Sequence, residues 1–136
     1  MRYLLDTNVL SDIRRGSSSS LQTWIAEQRV TDLAISAITL LELDVGVRRK
    51  ERRDSAAGAR LRQWLDATVR PMFRDRVLPV DERVVAEAAP LHVPDPMPAL
   101  DALIAATALA HGLTLVTRNV SDMERSGVAI LDPWGA

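Results

Sequence analysis

Short apolar runs alternate with helical patterns along this chain, and this alternation limits the folds that it can adopt. The runs are 3–5, 33–35, 77–80, 113–117 and 128–131. The segments between them space apolar residues as one face of a helix does, as at Leu21, Trp24 and Ile25. Short strands that alternate with helices pair in parallel, with helices covering both faces of the sheet. The sequence therefore predicts an α/β fold around a central, mainly parallel sheet of four to five strands.

Prolines and glycines sharpen two of these predictions. Pro98 suits the first turn of a helix and Gly112 suits its end, so the pattern predicts a helix that runs to His111. Pro79 lies in the third apolar run and has no N–H to donate, which favours an edge position for that strand.

Length and composition indicate one domain over residues 1–136. The absence of cysteine excludes disulfides, zinc–thiolate sites and thiol nucleophiles, and it agrees with a reducing compartment. The apolar run at the N-terminus is too short for a signal peptide. The stretch 99–110 is interrupted by Asp101 and is too short to span a bilayer. We therefore expect a cytoplasmic protein that does not associate with membranes.

Positive charge is concentrated between Arg48 and Arg62, where seven basic residues outnumber two acidic ones. Two compatible interpretations remain open: a solvated face that favours helix, and a patch that binds phosphates. The net charge of −1 for the whole chain favours neither.

Two carboxylates follow strands at the edge where a parallel sheet gathers functional groups. Asp6 directly follows the first predicted strand, and Asp122 closely follows the fourth, after Asn119. Because the carboxyl ends of parallel strands meet at one edge, these side chains are expected to converge there. Each also has an ordinary explanation: Asp6 can cap the next helix, and Asp122 can be a loop residue.

Two further carboxylates lie in apolar helical surroundings. Glu42 belongs to a helix in which Ile38, Leu41 and Val45 recur as one predicted core face. Asp101 lies near the start of a helix that is apolar almost all round, where the helix dipole also favours a negative charge. No Lys or Arg occurs in 84–117 to pair with it locally. A charge in such a place needs a partner or a metal.

Several carboxylates in one cleft repel one another unless a cation lies between them. Oxygen ligands without cysteine, in a chain with only two histidines, favour Mg²⁺, or alternatively Mn²⁺, over zinc. A metal in such a site lowers the pKa of a bound water and neutralises charge on a phosphoryl oxygen. The acids therefore predict metal-assisted hydrolysis by either one or two ions.

Four ordered segments of the chain resemble the PIN-domain ribonucleases of the VapC type, the toxins of type II toxin–antitoxin pairs. They are 3–11, 35–43, 101–108 and 115–123, and the tail 131–134 is similar as well. The resemblance implies a PIN-like three-layer α/β/α sandwich and a Mg²⁺-dependent endoribonuclease that acts on tRNA or another structured RNA. It also implies a homodimer, inhibition by a cognate VapB-type antitoxin, and hetero-oligomers with that antitoxin.

The same resemblance implies roles for individual residues. The matched catalytic acids are Asp6, Glu42, Asp101 and Asp122, of which Asp6 and Asp101 match the metal ligands. The matched supporting residues are Asn8, Thr117 and Asn119, and Asn119 fills a place where some relatives carry an additional acid. An acidic cleft also needs cations at its rim to bind RNA, and the candidates are Arg118 first, then Arg14, Arg15 and the cluster 48–53. Asp44 lies about 200° around its helix from Glu42 and is expected to face solvent or the antitoxin.

Three alternatives remain open. Haloacid-dehalogenase-like phosphatases also begin with a strand and Asp-x-Asp, but here Asn8 takes the second position, and the single lysine, Lys50, follows no predicted strand. A ribonuclease that uses histidine would need His92 or His111, for which structural or surface roles are simpler. PIN-like domains that have lost their acids serve as binding modules, whereas this chain keeps four.

Overall fold

The computed structural model describes residues 1–135 and contains one five-stranded sheet. The strands are β1 (Tyr3–Leu5), β2 (Leu33–Ser36), β3 (Val77–Leu78), β4 (Thr114–Val116) and β5 (Ile130–Leu131). Their order is β3-β2-β1-β4-β5, and every neighbouring pair is parallel. The predicted α/β class with a parallel sheet is confirmed, and β3 lies at an edge, as Pro79 indicated.

Helices connect the strands. They are α1 (Thr7–Arg15), α2 (Ser19–Ala26), α3 (Ala37–Arg53), α4 (Ser55–Trp64), α5 (Arg70–Met72), α6 (Glu82–Ala88), α7 (Ala99–His111) and α8 (Val120–Met123). A π-helical turn, Leu65–Val69, joins α4 to α5, and short 3-10 turns cover Val30–Asp32, Ala89–His92 and Glu124–Ser126. Helix α7 begins directly after Pro98 and is closed by Gly112 in the left-handed conformation, with φ 64°, so the predicted helix is confirmed.

The core divides into layers because successive residues of a strand point to opposite faces of the sheet. Leu4 belongs to an apolar cluster with Ile104 of α7, whereas Leu5 belongs to a cluster with Leu10 of α1 and with Phe73. Both leucines of β1 are fully buried. This central strand therefore has packed layers on both sides, and its carboxyl end opens between them.

The predicted core face of α3 is wrong in part. Ile38 is buried, but Leu41 is 50% exposed, and the helix instead buries Leu43 and Val47. Both sets obey helical spacing because α3 is apolar on more than one face. The packing of α1, α4 and the sheet selects the set that reaches the core.

Helix α4 packs directly on α3 at Gly58. A Cβ at this position would lie 2.4 Å from the Cα of Glu51, so only glycine allows the two backbones to approach this closely. Among residues 1–135, no helix has the length and apolar character needed to cross a membrane.

Candidate active site at the carboxyl edge of the sheet

Asp6 sits at the end of the central strand and begins α1. Its backbone N–H donates to the carbonyl of Val116 at 2.9 Å and so continues the pairing of β1 with β4. Its carboxylate accepts from the backbone N–H of Thr7 at 2.8 Å and caps α1. The side chain is only 3% exposed. Asp6 therefore both caps α1 and lies at the carboxyl edge of the sheet, so its two predicted roles are compatible.

The predicted supporting residues surround Asp6. The Thr117 hydroxyl donates to Asp6 Oδ2 at 2.8 Å, and Asn8 Nδ2 approaches the same oxygen at 3.4 Å. Thr117 Oγ1 in turn accepts from the backbone N–H of Asn119 at 3.0 Å. These hydrogen bonds hold one orientation of the Asp6 carboxylate, because each of its oxygens has a donor.

Glu42 faces the same region from α3. Its Oε1 accepts from the Thr7 hydroxyl at 2.6 Å, and that hydroxyl also contacts Thr39 Oγ1 at 3.3 Å. The side chain is half-buried rather than enclosed in the core, since α3 turns Leu43 and Val47 inward instead. The argument that burial makes Glu42 costly is therefore weaker than the sequence suggested, although its placement beside Asp6 agrees with the prediction.

Asp101 and Asp122 complete the acidic group from α7 and α8. Asp101 is half-buried in the first turn of α7. The acids Asp6, Glu42 and Asp101 line one cleft of about 320 Å³, together with Ser11, Asp12 and Asn119. Asp122 is exposed and lies outside the lining of this cleft, but it is near enough for its charge to act on Asp101.

Burial and neighbouring carboxylates raise the pKa of two of these acids, Asp6 and Asp101. Burial raises the pKa of Asp6 most, its hydrogen bonds oppose this, and the charge of Glu42 adds to it. Burial also raises the pKa of Asp101, followed by the charges of Asp6 and Asp122. Within residues 1–135, none of the four acids forms an ion pair with Arg, Lys or His. No basic side chain in the described part of the chain therefore neutralises the charge of these four acids by direct contact.

This donor set fits a divalent cation. In the described part of the chain, no three acidic or histidine side chains are close enough to enclose a metal by themselves. Mg²⁺ does not require such a cage, because it is typically held by one or two carboxylates and several waters. Asp6 and Asp101 offer oxygen ligands whose pKa values are raised in the protein alone, the condition that a bound cation reverses.

Asp12 also belongs to this site and was missed by the sequence analysis. It is 5% exposed and lines the cleft. It accepts from Arg15 Nη1 at 2.8 Å, from Arg118 Nη1 at 3.0 Å and from Trp134 Nε1 at 3.2 Å. The helical spacing of Asn8, Asp12 and Arg15 is the signal that could have revealed it.

The arginines predicted to bind RNA therefore occupy different places. Arg15 lines the cleft, and the Arg118 guanidinium lies 5.7 Å from the Trp134 ring centroid, anchored by Asp12. Arg14 does not line the cleft; its guanidinium stacks at 5.8 Å on Trp64 in an adjacent groove.

The histidines lie elsewhere. His111 Nε2 lies 3.4 Å from an Arg83 nitrogen, and His92 Nδ1 accepts from the backbone N–H of Met97 at 3.3 Å. Neither histidine lines the acidic cleft. This placement does not favour a mechanism that uses histidine at this site.

Asp44 was predicted to face either solvent or the antitoxin, but the structure surrounds it with arginines. It accepts hydrogen bonds from Arg48 at 3.0 Å, Arg62 at 3.1 Å and Arg70 at 3.2 Å. Partial burial opposes its ionisation, but the hydrogen bonds and charges of Arg62 and Arg48 outweigh that cost and lower the pKa of Asp44. Part of the basic segment is therefore neutralised by acids outside 48–62, which counting charge within that window missed.

A parallel sheet with acids gathered at its carboxyl edge is typical of hydrolases that act on phosphate esters. The sequence matches the PIN domain family over residues 3–125. The chain belongs to this family.

Characterised relatives cover nearly the whole chain. Plasmid stability protein StbB of Pseudomonas syringae pv. tomato is 37% identical, covering 98% of this chain and 99% of its own length. Toxin FitB of Neisseria gonorrhoeae is 34% identical over 96% of this chain and 97% of its own. VapC ribonuclease Y4jK of Sinorhizobium fredii is 34% identical over 96% of both chains.

Solved structures agree with this assignment. A chain in the crystal structure of FitAcB from Neisseria gonorrhoeae superposes with a TM-score of 0.89 at 33% identity, covering 98% of this chain and 99% of that one. A chain of a toxin–antitoxin complex from Klebsiella pneumoniae has a TM-score of 0.70 at 26% identity, covering 97% and 98%. The VapC-type relationship indicated by the four sequence segments is thus confirmed, and similar members of the family are named toxins and ribonucleases.

Proposed function

We propose that this protein is a Mg²⁺-dependent endoribonuclease, with Mn²⁺ as an alternative cofactor, and the toxin of a type II toxin–antitoxin pair. Its substrate is tRNA or another structured RNA in the cytoplasm. The observation that carries the proposal is the acidic cleft, in which Asp6 and Asp101 have raised pKa values and no basic partner. The ribonuclease names of relatives such as Y4jK support the choice of RNA.

The residues divide the work of hydrolysis. Asp6 and Asp101 are the proposed metal ligands, and Mg²⁺ when bound supplies a water of lowered pKa and neutralises charge on the phosphoryl group. Glu42 and Asp122 are proposed to orient the attacking water or accept its proton. Thr117 keeps the Asp6 carboxylate in one orientation through its 2.8 Å hydrogen bond. The expected products carry a 3′-hydroxyl and a 5′-phosphate.

Cations around the cleft are proposed to hold the RNA backbone. Arg15 and Arg118 both form ion pairs with the buried Asp12 carboxylate, and their side chains remain 65% and 62% exposed. Their guanidinium groups are anchored on one side and accessible on the other, which suits phosphate binding. Arg14 contributes from the neighbouring groove.

The cognate antitoxin is proposed to cover an apolar groove between α1, α2 and the 64–73 segment. The groove encloses about 290 Å³, and its lining includes Ile13, Ile25, Trp64, Val69, Met72 and Phe73. Related chains occur in toxin–antitoxin complexes, which supports a partner of this kind here. An amphipathic segment of the antitoxin would bury this surface, because such grooves take up the apolar face of a partner peptide.

A homodimer is a further part of the proposal. Three large apolar side chains are exposed: Leu41 of α3 at 50%, Val93 in the loop before α7 at 72%, and Leu100 of α7 at 39%. Exposed apolar surface of this kind is what a second copy would bury, and hetero-oligomers with the antitoxin would retain the dimer.

The proposal is tested by sequencing RNA ends after incubation with the purified protein. We expect cleavage by the wild type with Mg²⁺, loss of cleavage in EDTA, and loss in Asp6→Ala. The mapped ends identify the RNA and the cleaved bond. Equal cleavage by wild type and Asp6→Ala, or cleavage unaffected by EDTA, would contradict the proposal. If cleavage persists in EDTA and is lost in His111→Ala, the mechanism uses histidine and not a metal.

A further inference from the structure

A second groove adjoins the acidic cleft and has the opposite charge. It encloses about 360 Å³, and four cations line it: Arg14, Arg15, Lys50 and Arg53. It shares Thr7, Ser11, Arg15 and Glu42 with the lining of the acidic cleft, so the two surfaces are continuous. We call this surface the basic groove. Lys50 and Arg53 belong to the basic segment for which phosphate binding was one of two open interpretations, and the structure places these two residues beside the acidic cleft.

Lys50 and Arg53 differ from other cations of the basic segment 48–62 in their partners. Arg48 and Arg62 form ion pairs with Asp44, and Arg62 also reaches Glu51. Within residues 1–135, Lys50 and Arg53 form no ion pair. The fold therefore neutralises Arg48 and Arg62 and leaves Lys50 and Arg53 at the groove without an acidic partner among the described residues.

Helix α3 aligns this charge with the acidic cleft. Glu42, Gly46, Lys50 and Arg53 fall within about 80° of one another around the helix. At 1.5 Å per residue, Lys50 and Arg53 lie about 12 Å and about 16 Å along the axis from Glu42. These spacings place both cations away from the acidic cleft along the axis of α3.

Apolar side chains line the basic groove together with the cations. Leu43, Val47, Leu61 and Trp64 line it, and a Cβ added at Gly46 would meet nothing within 4 Å. Single-stranded nucleic acid is bound in this way, by a charged groove for the backbone and an aromatic surface for the bases. Trp64 already carries the Arg14 guanidinium at 5.8 Å.

We propose that the basic groove binds a single-stranded segment of the RNA substrate next to the cleaved phosphodiester, with Lys50, Arg53 and Arg14 on its phosphates. The inference rests on the proposed function, since it takes RNA as the ligand. It adds a binding site at which cleavage does not occur and which sets affinity by strand length rather than by base sequence.

Gly46 allows a test with opposite expected signs. Gly46→Glu adds a negative charge to the groove and Gly46→Lys a positive one, and both replace a glycine where the helix has room for a side chain. The matched control is Arg52→Gln, which removes one positive charge from an exposed position of α3 that does not line the groove. Lys50→Gln with Arg53→Gln removes the proposed contacts themselves.

The probe is a labelled single-stranded RNA of about 12 nucleotides, bound in EDTA and checked for integrity afterwards. We expect Gly46→Glu to weaken binding about tenfold, Gly46→Lys to strengthen it, and Arg52→Gln to change it less than about twofold. The double variant should reduce the slope of log affinity against log salt by about 0.7 per lost contact.

Lys50 also permits a direct readout because it is the single lysine of the chain. An amine-acylating reagent modifies Lys50 and the N-terminal amine, and the exposed Met1 serves as the internal reference. Bound RNA should protect Lys50 at least about tenfold and leave the N-terminal amine reactive.

Three outcomes would overturn the proposal. They are equal binding by wild type and both Gly46 variants, a loss of affinity in Arg52→Gln as large as that in Gly46→Glu, and a blunt RNA duplex that binds as tightly as the single strand and responds equally to the variants. If the wild type cleaves RNA while the groove variants behave like it, only the basic groove is excluded. If the wild type fails to cleave while Lys50 protection and the Gly46 effects persist, the groove stands and the ribonuclease proposal fails.

Discussion

Glu42 and Asp44 are two residues apart on α3, and the fold uses their carboxylates in opposite ways. Asp44 is surrounded by Arg48, Arg62 and Arg70, and its pKa is lowered. Glu42 accepts a hydrogen bond from the Thr7 hydroxyl, and its charge raises the pKa of Asp6. The first arrangement neutralises charge within the protein, and the second leaves charge for a ligand to neutralise. The same residue class on one helix thus marks a structural network on one face and a candidate active site on the other.

The largest expected difference between the two regions is in activity. Asp101→Asn should lower RNA cleavage about a thousandfold, because the site loses a charged ligand. Burial and like charges raise the pKa of Asp101, so its ionisation at neutral pH opposes folding and the amide should unfold at an equal or higher temperature. Asp44→Asn is the matched control and should retain cleavage. Full activity in Asp101→Asn would show that the acidic cleft is not the active site.

Mg²⁺ should stabilise the acidic cleft and leave the Asp44 network unchanged. At a concentration about 100 times Kd, a ligand that binds only the folded state adds about 2.7 kcal/mol to the free energy of unfolding. Thermal unfolding with Mg²⁺ and with EDTA measures this shift. The gain should be nearly lost in the double variant Asp6→Asn, Asp101→Asn and kept in Asp44→Asn. An equal gain in the double variant would place the metal elsewhere.

Asp12 connects the two kinds of region, since it neutralises two arginines and also lines the cleft. Asp12→Ala removes the acceptor for Arg15, Arg118 and Trp134 and should cost about 1–3 kcal/mol of unfolding free energy. Loss of the anchored cations should also raise KM for RNA more than it lowers kcat. Asp75→Ala, an exposed aspartate, is the control for both measurements. Wild-type KM in a correctly folded Asp12→Ala would limit Asp12 to a structural role.

The smallest effect concerns the pH dependence of the Asp44 network. A pKa that is lower in the folded state means that Asp44 stabilises the protein above its unfolded pKa and loses that contribution as pH falls through the folded value. Asp44→Asn should therefore cost about 1 kcal/mol near pH 7, and the difference from wild type should disappear well below about pH 4. Denaturant unfolding of both proteins across this range measures the difference, and a cost independent of pH would mean that the network acts by packing alone.

The fold was largely predictable because its signals are local. Alternation of short apolar runs with helical spacing depends only on residues close in sequence, and Pro98 and Gly112 mark α7 in the same way. The core face of α3 was not predictable, because Leu41 and Leu43 are equally apolar and only α1, α4 and the sheet decide which is buried.

The candidate site shows the same division. Sequence alone could place Asp6 and Asp122 after strands at one edge of the sheet. The structure makes β1 and β4 neighbours and joins Asp6 to Thr117 by a hydrogen bond between residues 111 positions apart. Asp12 could not be placed in this way, since two of its three partners, Arg118 and Trp134, come from the other end of the chain.

The sequence by itself determined the order of the elements, the parallel sheet and the position of each candidate acid within those elements, because spacing and residue type carry that information. Tertiary structure alone decided which charges are neutralised. Ion pairs form between side chains that meet within a few ångströms. The packing of α3 against α4 brings Arg62 to Asp44, whereas Lys50 and Arg53 of the same segment face the basic groove.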